Sequence, residues 1–413
     1  SLSLTCLHGA DNVKYVKILG TFTDQYRDMK RIAAILAVIA LFSGSSAKAV
    51  AVDSTDIYLL TCAPGNESYS IYGHTALRIV IRGQNFDRVY NWGIFDFSTP
   101  NFAFRFARGK LDYMVGAYGY NDFLDEYQSE GRSVWSQKLL LTNSEKLNLI
   151  GLINENLKPE NIKYRYDFFF DNCATRIRDI IEKAAADTII YNEKKERLTF
   201  RQLIDPHQKV LPWLDFGADF LLGLQADRKA SASEEMFLPM YLMENMTSGR
   251  IIRNGNPEEL LGPPDTVIDF TAAVKEKNGP WIPQAVFYGV LLFVVLVTFV
   301  FGTRWLGLIT DIIVYTVYSV LALLLIFTNI FSEHDAMHYN LVIFAINPLI
   351  PVLMVYILRG RKAIVLSRIA LTLALLFFPA ALIAGQGINA AIIPLVLIIM
   401  VRLFKHCEFG KSL

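Results

Sequence analysis

Five apolar runs in the last third of the chain limit its folding more than any other feature. They span about residues 284–302, 307–329, 340–358, 364–384 and 388–404. Each is long enough to cross the hydrocarbon core of a bilayer as a helix, where a helix satisfies its own backbone polar groups. From residue 281 to 405 the basic residues are Arg304, Arg359, Arg361, Lys362, Arg368, Arg402 and Lys405. All fall in or beside the first and third connections or the tail, whereas the second connection, FSEHDAMHYN, and the fourth, GQGIN, carry none. The positive-inside rule puts the basic set in the cytoplasm and the other two loops outside. The chain entering the first helix is therefore exported.

Composition narrows the class further. The 413 residues leave room for two or three domains, and 53% are hydrophobic, concentrated after Pro280. A net charge of +1 with no basic patch argues against a nucleic-acid partner. The four cysteines, at positions 6, 62, 173 and 407, show no CxxC or Cys/His spacing, so no zinc or other metal site is expected. A Cys62–Cys173 disulfide is the pairing that an oxidising compartment would permit.

The stretch MKRIAAILAVIALFSGSSAKA, residues 29–49, has the basic start, apolar run and small-residue end of a signal peptide. An uncleaved anchor is the alternative, and residues 1–28 form an upstream extension from which nothing is read. Residues 50–200 then make an exported head. Strands are expected over 56–63, 75–82 and 87–97, with a turn at Gly83–Asn85. A helix over Ser144–Leu157 is expected to be capped by Thr142 or Asn143. Residues 201–250 are apolar enough to dock on the head's own core or to lie on the bilayer through Trp213, Phe216, Phe220, Phe237 and Leu238. Residues 251–283 read as a linker, 284–405 as the five-helix membrane domain and 406–413 as a cytoplasmic tail.

The chemistry concentrates in YDFFFDNCATRIRDIIE, residues 166–182. It reads as an extended aromatic run from Tyr164 to Phe170 that breaks at Asp171-Asn172 and turns into a helix with Cys173 in its first turn. Free N–H groups and the helix dipole there favour a thiolate, so the thiol pKa is expected to fall. The same N–H groups can hold an oxyanion. The base is expected at His74, which opens a strand in YGHTALRIVI and falls opposite roughly Gly93–Phe95. Asn91, Asp96 and Glu67 are the candidates for orienting its imidazole. Arg78, Arg176, Trp213 and His334 are the candidates for substrate contact, Arg176 and Arg178 both being weighed against a solvated face or an internal pair with Asp179 or Glu182. Cys62 reads as a core residue and His207, in DPHQ, as a surface one.

YGHTALRI, YNWGIFDF, FARGKLDY, FFFDNCATRIRD, WLDFGADFLLG and MFLP together resemble the Lnb-type family of lipoprotein N-acyltransferases, over about residues 52–405. The resemblance implies an α+β permuted papain-like (NlpC/P60-related) periplasmic domain followed by an all-α membrane domain of about five transmembrane helices. It implies Cys173 as nucleophile and His74 as base, with no cofactor. The implied reaction moves an acyl chain from a phospholipid donor, through a Cys173 thioester, to the α-amine of a diacylglyceryl-cysteine lipoprotein at the inner membrane. A groove for the chain, closed to water, is expected among the aromatics of 211–246 and the helix ends. The alternatives are a periplasmic thiol hydrolase (a peptidoglycan amidase or endopeptidase, or a phospholipase) and a non-enzymatic lipid or lipoprotein carrier.

Overall fold

In a computed structural model of the chain, the described residues are 52–95, 98–185, 188–192, 196–270, 279 and 281–408. The expected signal peptide, Asp96 and the end of the tail lie outside them. Among the described residues, 52–55 with 81–85 form one compact unit and 56–80 with those from 86 onward form a second. In the first, the Arg82 N–H donates to the Ser54 carbonyl at 2.8 Å. The second holds the head and the membrane helices.

The head is built on a seven-stranded sheet in the order β10-β5-β1-β2-β3-β4-β6. Its strands are β1 (Thr55–Cys62), β2 (His74–Ile81), β3 (Phe86–Ile94), β4 (Asp112–Gly119), β5 (Val134–Lys138), β6 (Lys163–Arg165) and β10 (Asp265–Ile268). β1 pairs antiparallel with β5, placing Leu60 opposite Ser136, and β3 pairs antiparallel with β4, placing Asn91 opposite Gly116. The β3–β4 register shifts between Asn91 and Ile94, and Gly93 within that bulge has φ 89°. Such a bulge bends the strand and re-aims its side chains. β7 (Ile189–Ile190), β8 (Arg250–Arg253) and β9 (Asn256–Glu259) form a separate small sheet.

Helices follow from apolar spacing and caps. α1 (Phe102–Ala107) and α2 (Tyr120–Glu130) flank β4. α3 (Asn143–Asn156) starts at Thr142, whose hydroxyl and the Glu145 carboxylate form a reciprocal capping box. In α4 (Cys173–Ala184), Ala174, Ile177, Ile180, Ile181 and Ala184 form one buried stripe. That stripe joins Leu77, Ile79 and Trp92 in a core on one face of the sheet. On the other face, Leu60, Ala76 and Val89 meet Phe123 and Tyr127 of α2.

Residues 200–248 fold as α5 (Phe200–Gln208), α6 (Pro212–Leu221) and α7 (Pro239–Ser248). This segment does not lie on the bilayer with all its aromatics. Phe237 and Leu238 are buried with Phe169, Phe200 and Ala336, because Phe169 from the Cys173 turn completes their packing. Phe220 is buried in the membrane bundle and only Trp213 is half exposed. The expected linker is also partly sheet. Asn254 and Gly255 adopt φ 51° and 82°, so they turn a tight hairpin between β8 and β9, and β10 closes the main sheet.

Helices form in all five apolar runs, the fifth starting only at Ile392. α8 (Ile282–Leu296), which continues as a π-turn over Val297–Phe301, α9 (Arg304–Ile330) and α12 (Ile364–Ala384) are long and apolar enough to cross a membrane. The third run is broken into α10 (Val342–Ala345) and α11 (Leu349–Leu358). Pro348 has no N–H to continue a helix, and buried Asn347 donates to the carbonyls of Phe344 (3.2 Å) and Ala370 (3.1 Å) at the break. α13 (Ile392–Glu408) closes the bundle. Fully buried Arg402 there pairs with Asp311 of α9 (Nε–Oδ1 2.7 Å) and donates to Thr298 Oγ1 (2.7 Å).

Candidate active site

Local geometry places Cys173 at the first position of α4. Asn172 Oδ1 accepts from the N–H groups of Ala174 (2.8 Å) and Thr175 (2.9 Å), while Thr175 Oγ1 accepts from the Asn172 N–H (2.8 Å). The Asn172 amide also donates to the carbonyls of Phe168 and Phe237, both at 2.8 Å. This tethers the thiol-bearing turn to the segment before α7. The aromatic run ahead of it is not an extended strand. β6 ends at Arg165, and Asp167 Oδ1 then accepts from the N–H groups of Phe169 and Phe170, both at 2.9 Å, folding the run into an Asx-type turn.

His74 arrives from the sheet. Gly73, at φ 84°, passes so close to the Cys62 carbonyl that a Cβ there would lie at 2.8 Å, so only glycine fits. The Thr75 hydroxyl donates to the Leu60 carbonyl (2.9 Å), and the Thr75 N–H, directly after His74, faces the Cys173 sulfur. His74 Nε2 donates to Asn91 Oδ1 at 2.9 Å, an arrangement that leaves the Nδ1 lone pair for another group. Asn91 therefore holds the imidazole, two residues nearer the start of β3 than the register opposite Gly93–Phe95 expected from the turn. Glu67 is exposed and uses its backbone within its own loop; Asp96 lies outside the described residues.

The electrostatics reverse one expectation. Burial pushes the Cys173 thiol up to about 11 against the N–H groups of Thr75, Ala174 and Cys173 itself and the Arg132 charge. Three facing dipoles do not compensate for the loss of water around a nascent thiolate. Burial likewise lowers His74 to about 4, against the Asn91 hydrogen bond. Both shifts favour the neutral forms, thiol and imidazole, at rest. Cys62 is buried and reduced, its thiol pushed up to about 12 by burial, and it forms no disulfide with Cys173.

Two further residues border this site. Arg132, buried, donates to the Ala63 carbonyl (2.8 Å) and pairs with Glu130 (2.9 Å), yet its Nη2 has no partner among the described residues. Tyr164 is buried on β6 with its hydroxyl facing the Gly93 N–H. A Cβ on Gly93 would lie 3.7 Å from the Cys173 Cβ and 4.0 Å from the Tyr164 hydroxyl, so one open position adjoins both. Tyr164 hides in an aromatic-rich run, and only the fold shows which ring turns inward.

The substrate-contact candidates are placed elsewhere. Arg78 makes a bidentate pair with Asp87 (2.7 and 2.6 Å) and stacks 3.3 Å over the Tyr120 ring, joining β2 to β3 and α2. Arg176 pairs with Asp171 (2.5 and 2.7 Å), neither Asp179 nor Glu182, and stacks on Tyr164. Asp171 precedes the helix and reaches back to its first turn, whereas Arg178 takes Asp179. Trp213 meets Phe287 of α8 edge-on. His334 Nε2 donates to the Phe106 carbonyl at 2.8 Å, so its loop docks the membrane domain on α1. His207 is in α5, half buried, its Nδ1 donating to the Ile71 carbonyl (3.0 Å), because Pro206 is tolerated in the helix and no turn forms. The one group among the described residues with metal-ligand spacing is Asp205, Asp215 and Asp219, whose carboxylate oxygens lie within 4.8 Å. Asn389 already bonds Asp215 and Asp219 (2.9 Å each), and Arg201 pairs with Asp219 (2.6 Å).

A sheet domain joined to helices long and apolar enough to cross a membrane, with a thiol at a helix start and an imidazole held by an amide, places the chain among membrane proteins with a folded head. Residues 44–206 match the model of the Lnb N-terminal periplasmic domain and residues 275–411 that of the Lnb transmembrane domain. The chain belongs to the Lnb family and is a lipoprotein-processing protein of that type. No curated protein and no solved structure matches it.

Proposed function

We propose that this protein is a lipoprotein N-acyltransferase of the inner membrane working through a Cys173 acyl-enzyme. The observation that carries the reading is the Cys173–His74–Asn91 grouping, with the Thr75 N–H against the sulfur and the Asn91 carbonyl against the imidazole. It has the parts of a Cys–His–Asn thiol site of the papain-like kind. His74 takes the thiol proton as sulfur attacks a phospholipid ester carbonyl, so no standing thiolate is required. The N–H groups beside the sulfur and the Tyr164 hydroxyl receive the negative charge of the tetrahedral intermediate. The lysophospholipid leaves with the proton from His74 and a thioester remains. The amine of a diacylglyceryl-cysteine lipoprotein then attacks the thioester carbonyl, the C–S bond breaks, and the amine proton passes through His74 to the departing Cys173 sulfur.

The membrane domain supports transfer between two lipid-anchored substrates, because it is docked to the head at the same end as Cys173. Glu333, in the second connection, pairs with Lys110 (2.8 Å) and with Arg165 of β6, and Ser332 donates to the Ala107 carbonyl (2.9 Å). The test is transfer in vesicles from a phospholipid to a synthetic diacylated lipopeptide. Wild type should yield triacylated product, and Cys173→Ala or His74→Ala should not. Product made by Cys173→Ala would refute the acyl-enzyme reading, and fatty acid released without product would support the hydrolase.

A further inference from the structure

Resting on that acyl-enzyme reading, we propose that Arg176 is a positioning residue of the reaction, holding the Tyr164 hydroxyl at the reacting carbonyl without touching the donor. Arg176 stands in the first turns of α4, which Asn172 caps. A cation there opposes the helix dipole, so its place needs another reason. Asp171, just before the cap, takes the Arg176 Nε at 2.5 Å and Nη2 at 2.7 Å. The two occupy the positions that a hydrophobic staple uses to fix how a chain enters a helix. Asp171 is pinned in turn, because its N–H and that of Asp167 donate to each other's carbonyls at 3.0 and 3.1 Å. The guanidinium is therefore fixed, with two of its three nitrogens already used.

The fixed guanidinium covers the Tyr164 ring, its Cζ 3.9 Å from the ring centroid. A cation is attracted to the face of an aromatic ring, and here it also shields that face from water. Tyr164 is 8% exposed whereas the Arg176 side chain is 26% exposed, so the guanidinium is the outer layer. The far end of the ring reaches the site. Its oxygen faces the Gly93 N–H, and the open position at Gly93 lies 4.0 Å from that oxygen and 3.7 Å from the Cys173 Cβ. With the oxygen accepting from Gly93, the hydroxyl proton is left for an oxyanion. Burial holds the phenol well above its ordinary value, the Cys173 charge adds to this and the Arg176 charge opposes it. The hydroxyl thus keeps a proton to donate as negative charge develops beside the sulfur. Loss of Arg176 uncovers the ring and lets the hydroxyl drift, and a misplacement of about 1 Å can cost much of a donor's effect.

The experiment is a double-mutant cycle on the full-length protein, reading thioester formation from phosphatidylcholine vesicles and from phosphatidylglycerol vesicles. Arg176→Met should slow the reaction about tenfold, part of what the hydroxyl supplies, but less than about twofold once Tyr164→Phe has removed that hydroxyl. Both donors should give the same factors, and Cys173 alkylation should hold in every variant. Equal slowing in the two backgrounds, or altered alkylation, would overturn the proposal, because Arg176 would then act on the thiol turn itself. A loss that persists in Tyr164→Phe and is larger for the anionic donor would overturn it in favour of a head-group contact. So would an unaltered rate in Arg176→Met. If Arg176→Met does not fold, the same cycle with Arg176→Lys decides between coupled and independent effects. If wild type forms no thioester from either vesicle, the acyl-enzyme reading fails first and the role of Arg176 falls with it.

Discussion

Alkylation of Cys173 by iodoacetamide should accelerate about tenfold per unit from about pH 6 to about pH 9, with no plateau. With the thiol pushed up to about 11, roughly one molecule in ten thousand holds a thiolate at pH 7. With His74 lowered to about 4, all but about one imidazole in a thousand is neutral at that pH. Proton transfer to His74 must then accompany attack, so alkylation follows hydroxide while enzymatic acylation does not. Acylation should lose its acid limb near pH 4, where His74 takes up a proton, and not near the ordinary imidazole value of 6.5. The assay is the alkylation rate by peptide mass spectrometry beside thioester formation across the same pH series, with Cys62 as a buried internal control. A flat alkylation rate across about pH 5 to about pH 8 would reveal a standing thiolate–imidazolium pair and refute the argument that burial outweighs the helix dipole.

Tyr164→Phe should lower acylation about a hundredfold or more, as loss of one oxyanion donor does, without altering the thermal midpoint or Cys173 alkylation. An unaltered acylation rate would remove the hydroxyl from the mechanism. Asn91→Ala, which frees the imidazole, should slow acylation about tenfold to a hundredfold, a share of what a positioned base contributes. The depressed His74 value makes stability pH-dependent: the folded state resists a proton that the unfolded chain takes below about 6.5, so stability present above 6.5 is lost as pH falls toward 4. His74→Gln should remove up to about 3 kcal/mol of that loss, read as a smaller drop in thermal midpoint on acidification. Arg201→Met strands Asp219 and Asp227, both buried against that guanidinium, and should cost about 3 kcal/mol or more in the unfolding midpoint.

The membrane half was the most legible part of the sequence because a single physical quantity, sustained apolar length, decides it. The break at Asn347-Pro348 was legible only as a proline, since the partner that makes it tolerable, the Ala370 carbonyl, is remote in sequence. Cys173 at a helix start could be read from Asp171-Asn172, because capping is local. Its raised pKa could not, because burial depends on the packing of β2, β3 and α4. The same division holds for His74. A turn at Gly83–Asn85 brought β2 and β3 together on paper, but the bulge at Gly93 decides which β3 side chain meets the ring. Phe237 and Trp213 looked alike in an apolar segment, and only Phe169 from the Cys173 turn distinguishes the buried one. The strands of 250–268 went unread because Asn254 and Gly255 signal a hairpin turn and a linker equally well.

The acyl-enzyme itself is the central claim, and intact mass spectrometry of the purified protein with phospholipid alone tests it most directly. The account predicts one added acyl chain, mapping to Cys173, removed by neutral hydroxylamine and absent from Cys173→Ala. On adding a diacylated lipopeptide, the chain should leave the protein and appear on the lipopeptide α-amine. A protein that never gains the mass, while its Cys173→Ala variant still triacylates lipoprotein in cells, would contradict the account.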